Sequence, residues 1–460
     1  MEVVLINSPV EAIVEEYDAP PYPHIGLAYL ATYAIRKGIS CKVIDCKFQR
    51  LNLHELMEII SKFDVTRIIF GFTAKTHEIS RVMHTAEEIK KRMPKSIIIL
   101  GGIHITALPE QTLEEFKVID VGVVGEGEYS FVQLIECLHA GKPLDEIDGV
   151  VYRENGTIVH NPKTKWIHNL DEIGYPDWSL FPKGKEYPIN IGRGCPVPCI
   201  FCMRASGTES RFRSADNIIE ELTMLKEQFQ PRMIHFFGDD FCSNTVLTNE
   251  LLDRMINANL NLRWRAGMRV SKIDIRILEK MKAAGCEHIE IGVESGNKEV
   301  LRSIKKGISL DKVQEVVLMA KKVKLDCWCY FILGHPNETW QTAMDTVNFL
   351  CKINPTNAAV GIMVPYPGTQ IWEMANKGEG GYRLLSTDWQ DFNKQIGNAL
   401  ELESLSRRQL EFLQIYGYIK LFIVNFRFFD FIKFCWRYKK EGWEFSKNFV
   451  SKIFKTRLNI

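Results

Sequence analysis

Short apolar runs alternate with helix-length segments along the first third of the chain. The runs are rich in β-branched residues and stand at 3–6, 41–45, 67–72, 96–100 and 119–125. Between them, apolar residues recur every three or four positions, as on one face of a helix, and the first such segment ends at Gly38. This alternation predicts a five-stranded, doubly wound α/β domain over residues 1–140, with ligands at the carboxyl ends of its strands.

The same alternation restarts after a stretch that Pro and Gly interrupt. Residues 141–187 are predicted to be a linker with one small hairpin around Asn155-Gly156. From residue 188 on, apolar runs stand at 189–191, 233–237, 262–266, 288–293, 327–333 and 358–364. Because six strand–helix units fall short of the eight of a complete barrel, they predict an open, partial β/α barrel over residues 188–385. Residues 386–460 are predicted to be a mostly helical extension.

Composition and charge narrow the class of protein. The chain has 460 residues, 46% of them hydrophobic, with 58 Lys and Arg against 57 Asp and Glu. A net charge of +1 excludes a chain built as a nucleic-acid polycation, and no nucleic-acid partner is expected. No apolar run reaches the ~20 residues of a membrane span, and the N-terminus MEVVLINSP has no features of a signal peptide, so a cytoplasmic location is expected.

The C-terminal end has a different composition from the rest. Residues 418–460 carry ten Lys or Arg, three Asp or Glu and thirteen aromatic residues, a net charge of +7. One interpretation is a helical cap that closes the open barrel and packs its aromatic residues inward. The alternative is a contact with a membrane surface or a partner protein, in which basic residues meet anionic groups.

Three of the twelve cysteines are clustered directly after the first barrel strand. Cys195, Cys199 and Cys202 form C-x-x-x-C-x-x-C within INIGRGCPVPCIFCMR. Three thiolates with this spacing can bind three irons of a 4Fe–4S cluster and leave the fourth iron without a protein ligand, which makes the cluster a catalytic centre. A zinc site would need a fourth Cys or His nearby, and none follows closely.

This cysteine spacing, with Phe201 just before the third cysteine, resembles that of the radical S-adenosylmethionine (SAM) superfamily. Segments further along the chain resemble motifs of that barrel, in the family's order: 238–241, 286–301 followed by Lys306-Gly307, 331–339 and 365–369. The resemblance implies that SAM chelates the open iron through its amino and carboxylate groups. It places Asp239 by the methionyl amino group, Arg269 by the carboxylate and Glu294 by the ribose hydroxyls. Ile291 and Gly292 are placed beside the adenine.

The first domain resembles the Rossmann-like cobalamin-binding domain that precedes some radical SAM barrels. The resemblance rests on PPYPHIGLAYLATYAIRKG, GGIHITALPE and VGEGEYSFVQL. Glycines at the ends of buried strands allow a cofactor to approach the backbone, although a Gly pair alone would equally fit a nucleotide site or a tight turn. The implied cobalamin contacts are Thr73, Gly101, Gly102, His104, Gly125, Glu126 and Gly127.

One departure from other cobalamin proteins concerns the cobalt ligand. Their D-x-H-x-x-G signature supplies a histidine, whereas here Lys47 stands two residues after Asp45. We therefore expect cobalamin to bind without a histidine ligand to cobalt from this loop.

The resemblance implies a cobalamin-dependent radical SAM enzyme, most simply a C-methyltransferase that moves a methyl group from methylcobalamin to a substrate carbon radical. That radical would arise from attack by the 5'-deoxyadenosyl radical. The alternatives are a non-methylating enzyme that uses the same cofactors for oxidation, cyclisation or ring rearrangement, and a cobalamin-binding sensor or carrier. The expected partners are a small-molecule, peptide or protein substrate and an electron donor such as flavodoxin or ferredoxin.

Overall fold

The first domain is built on one mixed sheet. The structure is a computed structural model that describes residues 2–9, 19–63, 68–238, 240–393 and 397–437. Within these ranges the sheet has seven strands in the order β2-β1-β3-β4-β5-β6-β7. They are β1 (Glu2–Asn7), β2 (Cys41–Asp45), β3 (Ile68–Thr73), β4 (Ile97–Gly101), β5 (Val121–Val123), β6 (Val150–Glu154) and β7 (Thr157–Asn161). Strands β1 to β5 pair in parallel, which confirms the predicted doubly wound arrangement.

Helices cover both faces of this sheet. They are α1 (Ile25–Arg36), α2 (Cys46–Gln49), α3 (Leu53–Ile60), α4 (Ile79–Arg92), α5 (Ile103–Ala107), α6 (Pro109–Glu115) and α7 (Glu128–Ala140). One apolar core lies between the sheet and α1 and α7, and a second lies between the sheet and α3 and α4. Because both faces of the parallel strands are buried, their sequences are nearly continuous apolar runs.

The first domain extends beyond residue 140. The predicted hairpin is confirmed: β6 and β7 pair around Asn155 and Gly156, whose φ angles of 49° and 82° suit a type I′ turn. However, β6 also pairs antiparallel with β5, Val121 opposite Tyr152. The hairpin is therefore part of the domain's sheet, and the linker proper begins after Asn161.

The second domain is the predicted open barrel. Among the described residues its sheet has six strands in the order β15-β14-β13-β12-β11-β8, all parallel. The strands are β8 (Glu186–Asn190), β11 (Met233–Phe237), β12 (Trp264–Met268), β13 (Cys286–Glu294), β14 (Asp326–Leu333) and β15 (Asn357–Ile362). A small antiparallel pair, β9 (Gly192–Arg193) and β10 (Arg211–Phe212), follows β8. The barrel helices are α8 (Ala215–Met224), α9 (Thr245–Asn257), α10 (Ile275–Ala283), α11 (Lys298–Ser303), α12 (Leu310–Lys322), α13 (Trp340–Ile353) and α14 (Gln370–Lys377).

The last described part of the chain closes the open edge of the barrel. After the antiparallel pair β16 (Tyr382–Leu384) and β17 (Leu400–Leu402) come α15 (Arg407–Val424) and α16 (Phe428–Arg437). The backbone N–H of Val360, on edge strand β15, donates to the Tyr418 hydroxyl at 2.8 Å, and its carbonyl accepts from the Gln414 amide at 2.6 Å. These contacts support the cap interpretation for α15, while residues 438–460 of the predicted extension lie outside the described residues. No helix in the described ranges combines the length and apolar character that crossing a bilayer requires.

The segment before β17 returns to the first domain. Trp389 packs with its ring centroid 5.0 Å from that of His104, and its indole N–H donates to the Glu115 carboxylate at 2.9 Å. Phe392 and Ala399 belong to the same core as the buried side chains of α3 and α4. The C-terminal part of the chain therefore completes the core of the N-terminal domain.

Candidate functional site

The loop with the three clustered cysteines lies at the carboxyl end of the barrel, between β9 and β10. Its fold is fixed by backbone hydrogen bonds, from Cys195 N–H to the Gly207 carbonyl at 3.3 Å and from Cys202 N–H to the Cys199 carbonyl at 3.2 Å. Ile200 N–H also donates to the Ile304 carbonyl, which ties the loop to the end of α11. Active sites of β/α barrels are built at this end of the strands.

The Cys199 thiol of the loop lies in an electropositive environment. A hydrogen bond from the Cys202 thiol, together with the Lys306 and Arg269 cations, lowers the pKa of Cys199 to about 6, although burial opposes the shift. A guanidinium nitrogen of Arg269 lies 4.0 Å from the Cys199 sulfur. Such surroundings favour the thiolate, which is the form that binds metal.

The three sulfur atoms do not all face the same space. Cys199 and Cys202 line a cavity of about 560 Å³ between the two domains, whereas Cys195 lines a separate cavity of about 300 Å³ at the end of the barrel. No three Cys, His, Asp or Glu side chains within the described ranges are gathered closely enough to form a ready metal site. The loop thus supplies the predicted donors without preorganising all three.

The smaller cavity has a mostly apolar wall that carries a few polar side chains. Besides Cys195, it is lined by Gly238, Asp240 and Arg269. Asp240 is buried, and its carboxylate accepts backbone N–H groups from Cys242 and Arg269, both at 3.1 Å. Asp240 therefore shapes the turn after β11 and aligns it with the end of β12.

A third cavity, of about 350 Å³, lies at the carboxyl ends of β3, β4 and β5 and continues between the sheet and helices α1 and α7. Most of the predicted cobalamin contacts line it: Thr73, Gly101, Gly102, Gly125, Glu126 and Gly127. Gly102 has a φ of 95°, and a Cβ there would lie 2.7 Å from the Thr73 hydroxyl. Glycine is therefore required for this backbone to form the rim of the cavity.

Four charged side chains, three of them buried and the fourth, Arg193, 11% exposed, join the third cavity to the cysteine loop, and we call them the junction cluster. They are Glu126, Glu128, Arg193 and Arg211. Arg193 lies two residues before Cys195 and contacts Glu126 at 3.2 Å and Glu128 at 2.6 Å. The second oxygen of Glu126 accepts from Arg211 at 2.9 Å and from the Ile167 N–H at 2.9 Å. Arg193 also lines both the third cavity and the smaller barrel cavity.

The inside of the barrel carries a further polar layer. Arg265 pairs with Glu290 at 3.0 Å, and the Tyr330 hydroxyl donates to the same carboxylate at 3.0 Å. Tyr22, from the loop before α1, enters this layer with its ring centroid 4.5 Å from that of His235. Residues from both domains thus meet in this polar layer.

Comparisons with known proteins agree with both halves of this site. Residues 189–350 match the Radical SAM superfamily, and residues 16–135 match the B12 binding domain. An uncharacterized methyltransferase from Pyrococcus horikoshii is 32% identical over 433 residues, which cover 92% of this chain and 93% of that protein. The chain belongs to the cobalamin-binding radical SAM enzymes.

Two other relatives show the range of this radical SAM family. An anaerobic magnesium-protoporphyrin IX monomethyl ester cyclase from Rubrivivax gelatinosus is 26% identical over 389 residues, which cover 81% of this chain and 69% of the cyclase. The radical SAM methyltransferase TsrM from Kitasatospora setae, solved with cobalamin and a 4Fe–4S cluster bound, has the same fold, with a TM-score of 0.72 and 18% identity. The match covers 92% of this chain and 91% of TsrM. Family membership implies a 4Fe–4S cluster, SAM and cobalamin for this radical SAM enzyme as well.

The residues of this radical SAM enzyme fit these groups to different degrees. Soft thiolates beside Arg269 and Lys306 suit an iron–sulfur cluster, and the glycine-rimmed third cavity suits a large cofactor that approaches the backbone. Asp239, predicted to contact SAM, lies outside the described residues.

Glu294 stands where the radical SAM resemblance places it, at the end of β13, but it already has a partner. The residue has a φ of 67° and follows an irregularity in the pairing of β13 with β14. Its carboxylate pairs with Lys306 at 2.7 Å, with both side chains almost fully buried. Lys306 in turn lies 5.8 Å above the Phe201 ring of the cysteine loop. A role for Glu294 at the ribose stays a prediction.

Two of the predicted contact residues have fully buried side chains, and their cofactor contacts stay predictions. Ile291 is fully buried in the core between the barrel sheet and its helices, because its side chain points away from the barrel interior. Gly292, next along β13, lies beside the Glu294 carboxylate and the Lys306 ammonium. His104 is also fully buried: it lies 3.4 Å from the Thr76 hydroxyl and packs on Trp389, on the face of the sheet opposite the third cavity. Burial lowers the pKa of His104 to about 4.

Sequence reasoning missed two basic residues of the site. Arg193 stands in GRGC directly before the cysteines, and Lys306 stands in the KG pair that the resemblance included without a role. In both cases the signal was a basic residue inside a family motif, and in both cases the acidic partner became apparent only in the folded chain.

Proposed function

We propose that this enzyme is a C-methyltransferase that transfers a methyl group to an unactivated carbon of a small molecule or peptide. The observation that carries the proposal is the junction cluster, which joins the cysteine loop to the rim of the third cavity. Methyl transfer to a radical requires the cobalamin site and the SAM site to serve one substrate. The relative with 32% identity, named as a methyltransferase, supports the same proposal.

The protein's own groups bind, orient and exclude water. When bound, the cluster and SAM supply a substrate radical and cobalamin supplies the methyl group; a donor such as flavodoxin or ferredoxin supplies the electron. Arg269 holds the Lys306 carbonyl through a hydrogen bond and stands beside Cys199, so it orients the segment on which the cluster loop rests. We assign the polar layer inside the barrel, which contains Tyr22 and Arg265, to substrate binding.

We also propose that no histidine of this domain coordinates cobalt. The Lys47 ammonium is buried in a pair with Glu78 at 2.6 Å, and Lys47 does not line the third cavity. His24 does line it, but its Nδ1 accepts the Leu27 N–H at the start of α1. Electron paramagnetic resonance of the protein with cob(II)alamin should therefore show no nitrogen superhyperfine splitting on the cobalt signal. Clear splitting from one nitrogen would contradict this proposal.

The rival function is radical chemistry without methyl transfer, as the name of the Rubrivivax cyclase indicates for that relative. The two functions consume SAM differently. A methyltransferase of this kind forms S-adenosylhomocysteine together with 5'-deoxyadenosine, whereas a non-methylating enzyme forms 5'-deoxyadenosine alone.

The decisive experiment follows both products in anaerobically reconstituted, reduced enzyme with extracts as the source of substrate. Formation of both products in comparable amounts would support methyl transfer. 5'-Deoxyadenosine without S-adenosylhomocysteine would support the rival, and absence of any SAM cleavage would favour a cobalamin carrier.

A further inference from the structure

The C-terminal helices α15 and α16 present an apolar outer surface, which we call the C-terminal apolar face. On α15 the exposed apolar residues recur at helical spacing along one side, and on α16 they continue beyond the turn. The members are Phe412, Ile415, Ile419, Ile423, Val424, Phe426, Phe428, Phe429, Ile432 and Trp436. Isolated exposed apolar residues are normal, but a contiguous row on two consecutive helices is not.

Helix α16 has a broad apolar arc, with Asp430 and Lys433 at its polar edges, and the described protein covers only part of that arc. On the inner side, Phe431 packs on Phe422 and Phe434 packs on Tyr418 and Phe422, with ring centroids 4.9 to 5.7 Å apart. On the outer side, Phe429 is 81% exposed and Ile432 is 64% exposed. The apolar face of an amphipathic helix is normally buried along its whole width, so the uncovered outer side calls for an apolar environment.

The exposed area is larger than a monomer usually leaves in water. At ~200 Å² for an aromatic side chain, the exposed fractions of Phe412, Phe426, Phe428 and Phe429 add up to roughly 500 Å² before any aliphatic residue is included. A patch of this size marks an interaction surface.

Charge indicates the kind of surface that this face meets. Lys433 is exposed on the same side of α16 as Phe429 and Ile432. Residues 438–460, which follow directly, contain six Lys or Arg against two Glu. Aromatic and aliphatic residues that adjoin an excess of basic residues match the boundary of an anionic bilayer, where acyl chains accept the rings and headgroups accept the ammonium groups.

We propose that the C-terminal apolar face docks the enzyme on an anionic lipid membrane. The proposal does not depend on the reaction that the enzyme catalyses. In this proposal residues 428–437 form an anchor that lies in the plane of the membrane surface. The sequence left two possible contacts open, a membrane surface and a partner protein, and the proposal selects the membrane surface.

The test is co-sedimentation of the full-length, reconstituted enzyme with vesicles. One set contains phosphatidylcholine alone, and the other contains phosphatidylcholine with phosphatidylglycerol. Binding to the anionic set should exceed binding to the neutral set by about tenfold at roughly 0.1 M salt and should weaken as salt is raised. Absence of binding to both sets would overturn the proposal.

Two matched variants decide whether the apolar face is responsible. The double substitution Phe429→Ser with Ile432→Ser removes two exposed residues, so it should lower binding to anionic vesicles about tenfold or more while SAM cleavage stays unchanged. The control, Val246→Ser with Leu318→Ser, removes two residues that are 77% and 57% exposed elsewhere, and it should bind as the parent does. Equal binding by both variants would overturn the proposal. Light scattering without vesicles provides a second check. A concentration-dependent dimer that the Phe429/Ile432 variant abolishes would also overturn the proposal, because a second copy of the chain would then occupy the face.

Discussion

Glu294 offers the sharpest test of the site, because its carboxylate has two possible roles with different energetic signatures. In the structure it pairs with Lys306 at 2.7 Å, and only about a tenth of each side chain is exposed. Removing one partner of a buried ion pair typically costs ~3–5 kcal/mol of folding free energy, since the remaining charge has no counterion. If the carboxylate also accepts the ribose hydroxyls, its loss removes charge-assisted hydrogen bonds worth ~1.5–3 kcal/mol, or about ten- to a hundredfold in SAM affinity.

The perturbation is therefore a cycle of three variants: Glu294→Gln, Lys306→Met and both together. We expect each single variant to unfold at lower urea concentration and the double variant to recover much of the loss, because no unpaired charge remains. For SAM the expectation differs: Glu294→Gln and the double variant should both bind SAM about ten- to a hundredfold more weakly in anaerobic equilibrium dialysis. A double variant that recovers both stability and SAM affinity would refute a role for Glu294 at the ribose.

Three further changes test separate parts of the molecule. Replacing Cys195, Cys199 and Cys202 together by Ala should remove the cluster, and iron that stays near four atoms per chain would contradict the assignment. Arg193→Gln breaks the 2.6 Å contact with Glu128 and should weaken cobalamin binding about tenfold or more in dialysis while iron content is retained. Unchanged cobalamin affinity would contradict the role of the junction cluster in joining the two sites. Burial raises the pKa of Glu338 to about 7. The free energy of unfolding therefore falls by up to about 3 kcal/mol as pH rises from about 4.5 to 7, because the unfolded chain releases this proton first. Glu338→Gln should therefore raise the melting temperature at pH 8 but not at pH 5, and an equal effect at both would contradict that pKa.

The sequence was most informative where local pattern alone determines structure. Strands buried on both faces leave uninterrupted apolar runs, as in β1 and β3, and Asn155-Gly156 specifies a tight hairpin. The pairing of that hairpin with β5 has no signal in the local sequence, because it depends on which sheet edge is free in the folded domain.

In the candidate site, too, the residues that a local sequence pattern specifies were predictable and those that depend on distant partners were not. The cysteines were predictable because all three ligands lie on one loop with a specific spacing. The role of Arg193 was not predictable, because it depends on Glu128, which is 65 residues away in the chain. His104 follows the Gly pair closely, but α5 begins at Ile103 and turns the imidazole towards Trp389 instead of the cavity.

The contact between Trp389 and Glu115 also has a consequence for synthesis. The two residues are 274 positions apart, and Trp389 contributes to the core beneath the first sheet. At ~5–20 residues per second, a ribosome needs roughly 15–55 s to travel from one to the other. During that interval the nascent first domain exposes the apolar surface that Trp389 and Phe392 later cover, and it is then most open to chaperones. We therefore expect this domain to reach its final stability, and to take up its cofactor, only after most of the chain has been made.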